Sequence, residues 1–258
     1  MKNRDFYSLI TEAIVGIVLS LYILFLYLDF NNVKIFITSN SIKYLCILLC
    51  FLLSIISTKN SLINTDTDAA TRRDISLLQL AMFITVIADL CLVILNYYIL
   101  GVVFFSLVQI TYCVRYATKK PKTTLIQFFV IFQCILFSYV IASFFIEKID
   151  VLLTISLFYI ICLLNSVFKS IKAWKNNLYP SPCRYMIVFG MILFLLCDIC
   201  VAISNLTALL PLTGYFMSRF QQITCFLIWV FYLPSQLLLS LSGSCNSNLS
   251  SKLLRKNL

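Results

Sequence analysis

Eight stretches of this chain, residues 9–28, 42–57, 75–95, 98–116, 125–146, 151–168, 185–206 and 223–241, are apolar almost throughout. A run of about 20 such residues rises about 30 Å as a helix, the thickness of a bilayer's hydrocarbon core. In lipid, only a structure that satisfies every backbone N–H and C=O internally can span, so runs of this length predict transmembrane helices. The chain is 61% hydrophobic and only 12% charged, far from the composition of a soluble domain. The expected fold is an all-α membrane protein of eight transmembrane helices. The longest polar stretch, residues 58–74, is too short to form a domain, so residues 1–258 are read as one integral, multi-pass membrane domain. In a prokaryote it would lie in the cell membrane.

Lys2 and Arg4 precede the first run as they would in a secretory signal. The run is too long for a signal core and no small-x-small cleavage site follows, so it is expected to remain as a helix. Glu12 falls in its first turn, where the interface or the helix dipole accommodates a carboxylate. Orientation comes from the basic residues. With the spans alternating in direction, 16 of the 20 Lys and Arg fall on one side, and only Lys34, Lys43, Lys148 and Arg219 fall on the other. By the positive-inside rule both termini are cytoplasmic. The net charge of +10 then describes a collar facing anionic headgroups, and no nucleic-acid partner is needed to explain it.

There is no histidine, which excludes imidazole-based triads and leaves any acid–base chemistry to carboxylates, tyrosines or water. Of the eleven cysteines, nine lie within spans; Cys197 and Cys200 form a single C-x-x-C with no second pair. They read as small packing residues, and no metal or cofactor is expected.

Two carboxylates stand deep inside apolar runs, Asp89 and Asp198, 109 residues apart. An ionised carboxylate at the bilayer centre costs roughly 2.5 to 3.5 kcal/mol on insertion scales, so it needs a partner or a use. Each sits in the same local pattern: Met82, Asp89, Cys91, Ile94 and Asn96 recur as Met191, Asp198, Cys200, Ile203 and Asn205. Both host helices are entered from the same side, so two parallel four-helix repeats are conceivable. Five identities in twenty aligned residues leave duplication and chance equally open. Met, Asp and Asn at intervals of seven return to nearly the same helix face, which makes Asn96 and Asn205 candidate companions of the carboxylates.

The following helices carry polar pairs: Gln109 with Tyr112, and Tyr232 with Gln236, each at a spacing that shares a face. Because Asn96 and Tyr97 leave room only for a tight turn, Gln109 is expected near Asp89. Gln127, Gln133, Tyr139 and Asn165 belong to no pair and read as interhelical hydrogen-bonding groups.

Taken together, Ala-Met-x5-Ala-Asp89, Gly101-x2-Phe104-x4-Gln109-x2-Tyr112, Gly190-Met-x2-Phe194-x2-Cys-Asp198 and Tyr232-x3-Gln236 resemble the YhhN family of lysoplasmalogenases over residues 77–242. The chain departs from that family's usual pattern in four places. Gln109 stands where histidine is common, Ala88 replaces a glycine, Cys197 replaces a serine, and Lys43 is the only remnant of a Lys-Pro in the second span. The resemblance implies hydrolysis of the vinyl ether of a lysophospholipid, with Asp89 and Asp198 catalytic and Asn96, Gln109, Tyr112, Asn205, Tyr232 and Gln236 around the substrate. That chemistry needs one carboxyl to deliver a proton and one carboxylate to stabilise a cation and orient water, a division of labour that environment can impose on such a pair. Two rivals remain at this level: a transporter using the aspartates as a cation or proton site, and a scaffold in which they lock helices together.

Overall fold

The structure, a computed structural model, describes residues 2–31, 39–63, 69–117, 121–145, 150–209 and 215–244. It contains eight helices long and apolar enough to cross a membrane, and no strand among the described residues. They are α1 (Lys2–Phe30), α2 (Ser39–Ile63), α3 (Ala69–Asp89), α4 (Tyr98–Tyr116), α5 (Pro121–Phe145), α6 (Val151–Lys175), α7 (Cys183–Leu209) and α8 (Tyr215–Leu241). Several reach beyond the apolar runs, because an interfacial polar residue is no reason for a helix to stop. The start of α3 at Ala69 makes Arg72, Arg73 and Asp74 helical, where the sequence suggested a loop. At the other end of the bundle Asp150 caps α6, its carboxylate accepting from the Leu152 N–H at 2.8 Å.

After Asp89, α3 continues as a single π-helical turn, Leu90–Ile94. The wider turn shifts the register of side chains, and the chain reverses through Asn96 in the left-handed region (φ 58°). The Tyr97 N–H closes the reversal by donating to the Cys91 carbonyl at 2.7 Å. Asparagine is one of the few residues that tolerate that conformation.

Neighbouring helices form a closed ring in the order α2, α3, α4, α6, α7, α8 and back to α2. Helix α1 packs outside the ring on α2 and α8, and α5 packs outside it on α4 and α6. Gln127 and Gln133 of α5 are exposed on that outer helix and Asn165 bonds its own helix at the Ile161 carbonyl, so these three do not tie helices together. Close approach within the ring depends on two glycines. A Cβ on Gly101 would meet Leu92 Cγ at 2.3 Å, and one on Gly190 would meet Leu239 Cγ at 2.9 Å. Ser235 adds a hydrogen bond to the Gly190 carbonyl at 2.8 Å, joining α7 to α8.

Pro234 lies inside α8 and cannot donate to the carbonyl four residues earlier, that of Val230. Tyr22 of α1 supplies the missing donor, its hydroxyl reaching the Val230 carbonyl at 3.0 Å. Tyr22→Phe is therefore expected to cost about 1 kcal/mol of stability, the net worth of one such bond. Unfolding titrations in detergent should record it, and an unchanged midpoint would mean that Val230 finds another donor.

Candidate active site

Asp89 is the last residue of regular α-helix before the π turn and is 3% exposed. Its Oδ2 accepts a hydrogen bond of 2.6 Å from the Tyr232 hydroxyl of α8. Asp198, partly buried on α7, accepts a bond of the same length, 2.6 Å, from the Tyr159 hydroxyl of α6. Among the described residues neither carboxylate takes part in an ion pair. Without a cation, two buried carboxylates cannot both carry charge cheaply, so a short hydrogen bond from a phenol is the principal compensation each has.

Aromatic rings join the two carboxylate–phenol pairs. Phe105 of α4 lies 6.3 Å from the Tyr159 ring, 6.2 Å from the Tyr232 ring and 5.9 Å from Phe194. Phe194 in turn meets Tyr232 edge-on at 5.7 Å. Cys197 lies within electrostatic reach of both aspartates. The result is one packed aromatic cluster bordered by two acids, each held in orientation by a phenol.

The amides fall differently from the sequence expectation. Gln109 is fully buried, but its Oε1 accepts from Ser166 of α6 at 2.6 Å and it borders Tyr159, which places it beside Asp198 instead of Asp89. Tyr232, on the helix after Asp198, bonds Asp89. The crossing follows from the ring: Phe105 and Gln109 of α4 face α6, while α8 closes against α2 beside α3. Gln236 is fully buried one turn from Tyr232. Tyr112 is also fully buried, but its hydroxyl meets the Met82 sulfur at 3.5 Å and its ring stacks on Tyr116. Asn96 and Asn205 are exposed and take no part in the cluster. The interval of seven fails at Asn96 because the π turn and the chain reversal intervene before it is reached.

Tyr159 and Phe105 were not singled out by sequence. Tyr159 sits in an uninterrupted apolar run with no distinguishing spacing, and only the packing of α6 against α7 brings it to Asp198.

The aspartates are not the only buried charges. Asp74 and Arg115 form a bidentate pair, Nε to Oδ1 and Nη2 to Oδ2 both at 3.1 Å, with Arg115 4% and Asp74 4% exposed. Tyr179, between α6 and α7, donates to Asp74 Oδ1 at 2.7 Å, and Arg115 Nη1 donates to Ser242 at 3.0 Å. This cluster closes the end of the bundle that carries Arg72, Arg73 and Lys172. It corrects the sequence view of Asp74 as a loop residue and Arg115 as one of a basic collar. A signal was present: Asp74 and Arg115 lie at similar distances along the chain on either side of the turn at Asn96, and so at similar depth on two antiparallel helices. Lys43 is buried as well, paired with Asp29 at 2.7 Å and 5.0 Å from the Trp229 ring, which packs on Tyr232 at 5.4 Å.

The model of the YhhN family matches residues 38–243, well over half of the chain, and leaves α1 outside the match. No curated protein and no solved structure matches the chain.

Proposed function

The chain belongs to the YhhN family, and from that premise we propose that it hydrolyses the vinyl ether of lysoplasmalogens, releasing a fatty aldehyde and a glycerophospho-base. The observation that carries the proposal is the pair of aspartates, without an ion pair among the described residues, each accepting a 2.6 Å bond from a tyrosine whose ring packs on Phe105.

A vinyl ether is not cleaved by attack at a carbonyl. Its carbon remote from oxygen must first take a proton, which leaves an oxocarbenium ion. One aspartic acid delivers that proton and becomes a carboxylate, whose charge offsets the cation; the faces of Phe105 and Phe194 add cation–π stabilisation. Water then bonds to the carbon next to oxygen, and a proton passes to a carboxylate. The hemiacetal collapses, with the hydroxyl proton moving to the departing glycerol oxygen. The phenols of Tyr159 and Tyr232 hold the carboxyls at a fixed angle to the substrate throughout, which is where an orienting group is most effective. An amphiphile suits the site, since a single chain can enter among apolar helices while its headgroup stays at the interface.

Purified protein in detergent is expected to release aldehyde from a lysoplasmalogen and to leave the corresponding ester lysophospholipid intact. Without histidine there is no Ser–His or Cys–His nucleophile for acyl transfer. Fatty-acid release from the ester, or no aldehyde from the vinyl ether, would overturn the proposal.

A further inference from the structure

Gln236 is the least satisfied polar side chain of the described interior. It is fully buried on α8, and neither its Nε2 nor its Oε1 has a hydrogen-bond partner. An amide in that position leaves two N–H donors and a carbonyl acceptor unmet, a cost folded proteins seldom carry unless water or a ligand meets it. Gln236 follows Tyr232 by four residues, so it lies on the same helix face roughly 6 Å further from Asn96's end of the bundle. Tyr232 in turn holds Asp89 at 2.6 Å. A related arrangement stands beside Asp198, where the buried Gln109 borders Tyr159, the phenol that holds that aspartate.

We propose that the Gln236 amide binds a buried water behind the Asp89–Tyr232 pair, and that this water is the one consumed in hydrolysis. The inference rests on the vinyl-ether reaction proposed above. A hydrolase whose site is lined by phenylalanine and occupied by an alkenyl chain cannot draw water freely from bulk, so it needs a polar store beside the reacting carbon. Water both donates and accepts, and so meets the Oε1 and one Nε2–H together; an alkenyl chain meets neither. In the step itself the water oxygen bonds to the oxocarbenium carbon while one of its protons passes to the carboxylate, which restores the acid for the next turnover. Gln236 touches the water and not the lipid, and is a positioning residue.

Gln236→Met keeps most of the volume and removes both polar functions. It is expected to lower kcat about 10- to 100-fold while KM stays within about twofold, because it removes an interaction made with the reacting water and not with bound lipid. A high-resolution map of the wild-type protein should show ordered density within about 3.2 Å of the Gln236 amide, and the Met variant should lack it. Absence of that density in the wild type overturns the inference whether or not the variant folds. Density with an unchanged kcat, or a loss confined to KM, also overturns it, since Gln236 would then be structural or a lipid contact. If the wild-type protein releases no aldehyde from vinyl-ether lipid, the proposed function falls and the hydrolytic role with it, whereas the density still decides whether the amide holds water.

Discussion

Asp89→Asn and Asp198→Asn are each expected to reduce aldehyde release by about 1,000-fold, within the range that a positioned acid or base contributes. Asparagine keeps the shape of the side chain and an oxygen that can still accept from Tyr232 or Tyr159, so the site should assemble as before. What is lost is the exchangeable proton on one side or the charge on the other, and the chain has no histidine to take over either role. Tyr159→Phe and Tyr232→Phe remove only the orienting bonds of 2.6 Å and should cost about 10-fold each, less than the acids they hold. Single-turnover aldehyde release from protein that elutes as the wild type does would measure all four. If both asparagine variants kept activity within a few-fold of wild type, the aspartates would be structural and the proposed reaction would fail.

Arg115→Met is expected to destabilise the protein by about 3 to 5 kcal/mol, the usual cost of stripping one partner from a buried pair. It would leave Asp74 inside the bundle without the Arg115 cation, with the Tyr179 hydroxyl still donating to it, and would also remove the bond to Ser242. The charge pair itself need not be strongly stabilising, because both groups were taken out of water to make it. The double variant Asp74→Leu with Arg115→Met should therefore recover much of the lost stability. Unfolding in mixed detergent, followed by the loss of helical signal, distinguishes the outcomes. A single variant as stable as the wild type would mean that water reaches the cluster and that the end of the bundle is open.

Sequence alone was sufficient for the membrane spans, because a bilayer imposes one length and one backbone solution on any apolar run of about 20 residues. It also marked Asp89 and Asp198 as out of place, since a carboxylate among leucines and isoleucines is costly wherever the helices pack, and made α3 and α4 antiparallel neighbours through the tight turn at Asn96; the close approaches at Gly101 and Gly190, where sequence had pointed to Ser, Ala and Cys, came only with the packing. Tertiary structure decided which groups meet. Tyr232 serves Asp89 and not the aspartate of the preceding helix, Gln109 turns to Ser166 and Tyr159, and Tyr159 enters the site from a featureless apolar run; each follows from the cyclic order of helices, which hydropathy does not encode. The π turn removed Asn96 from a face that regular helical spacing had assigned to it. Asp74 and Arg115 looked interfacial by composition and became core by pairing, because a charge's environment is set by the partner that packing brings to it and not by its neighbours along the chain.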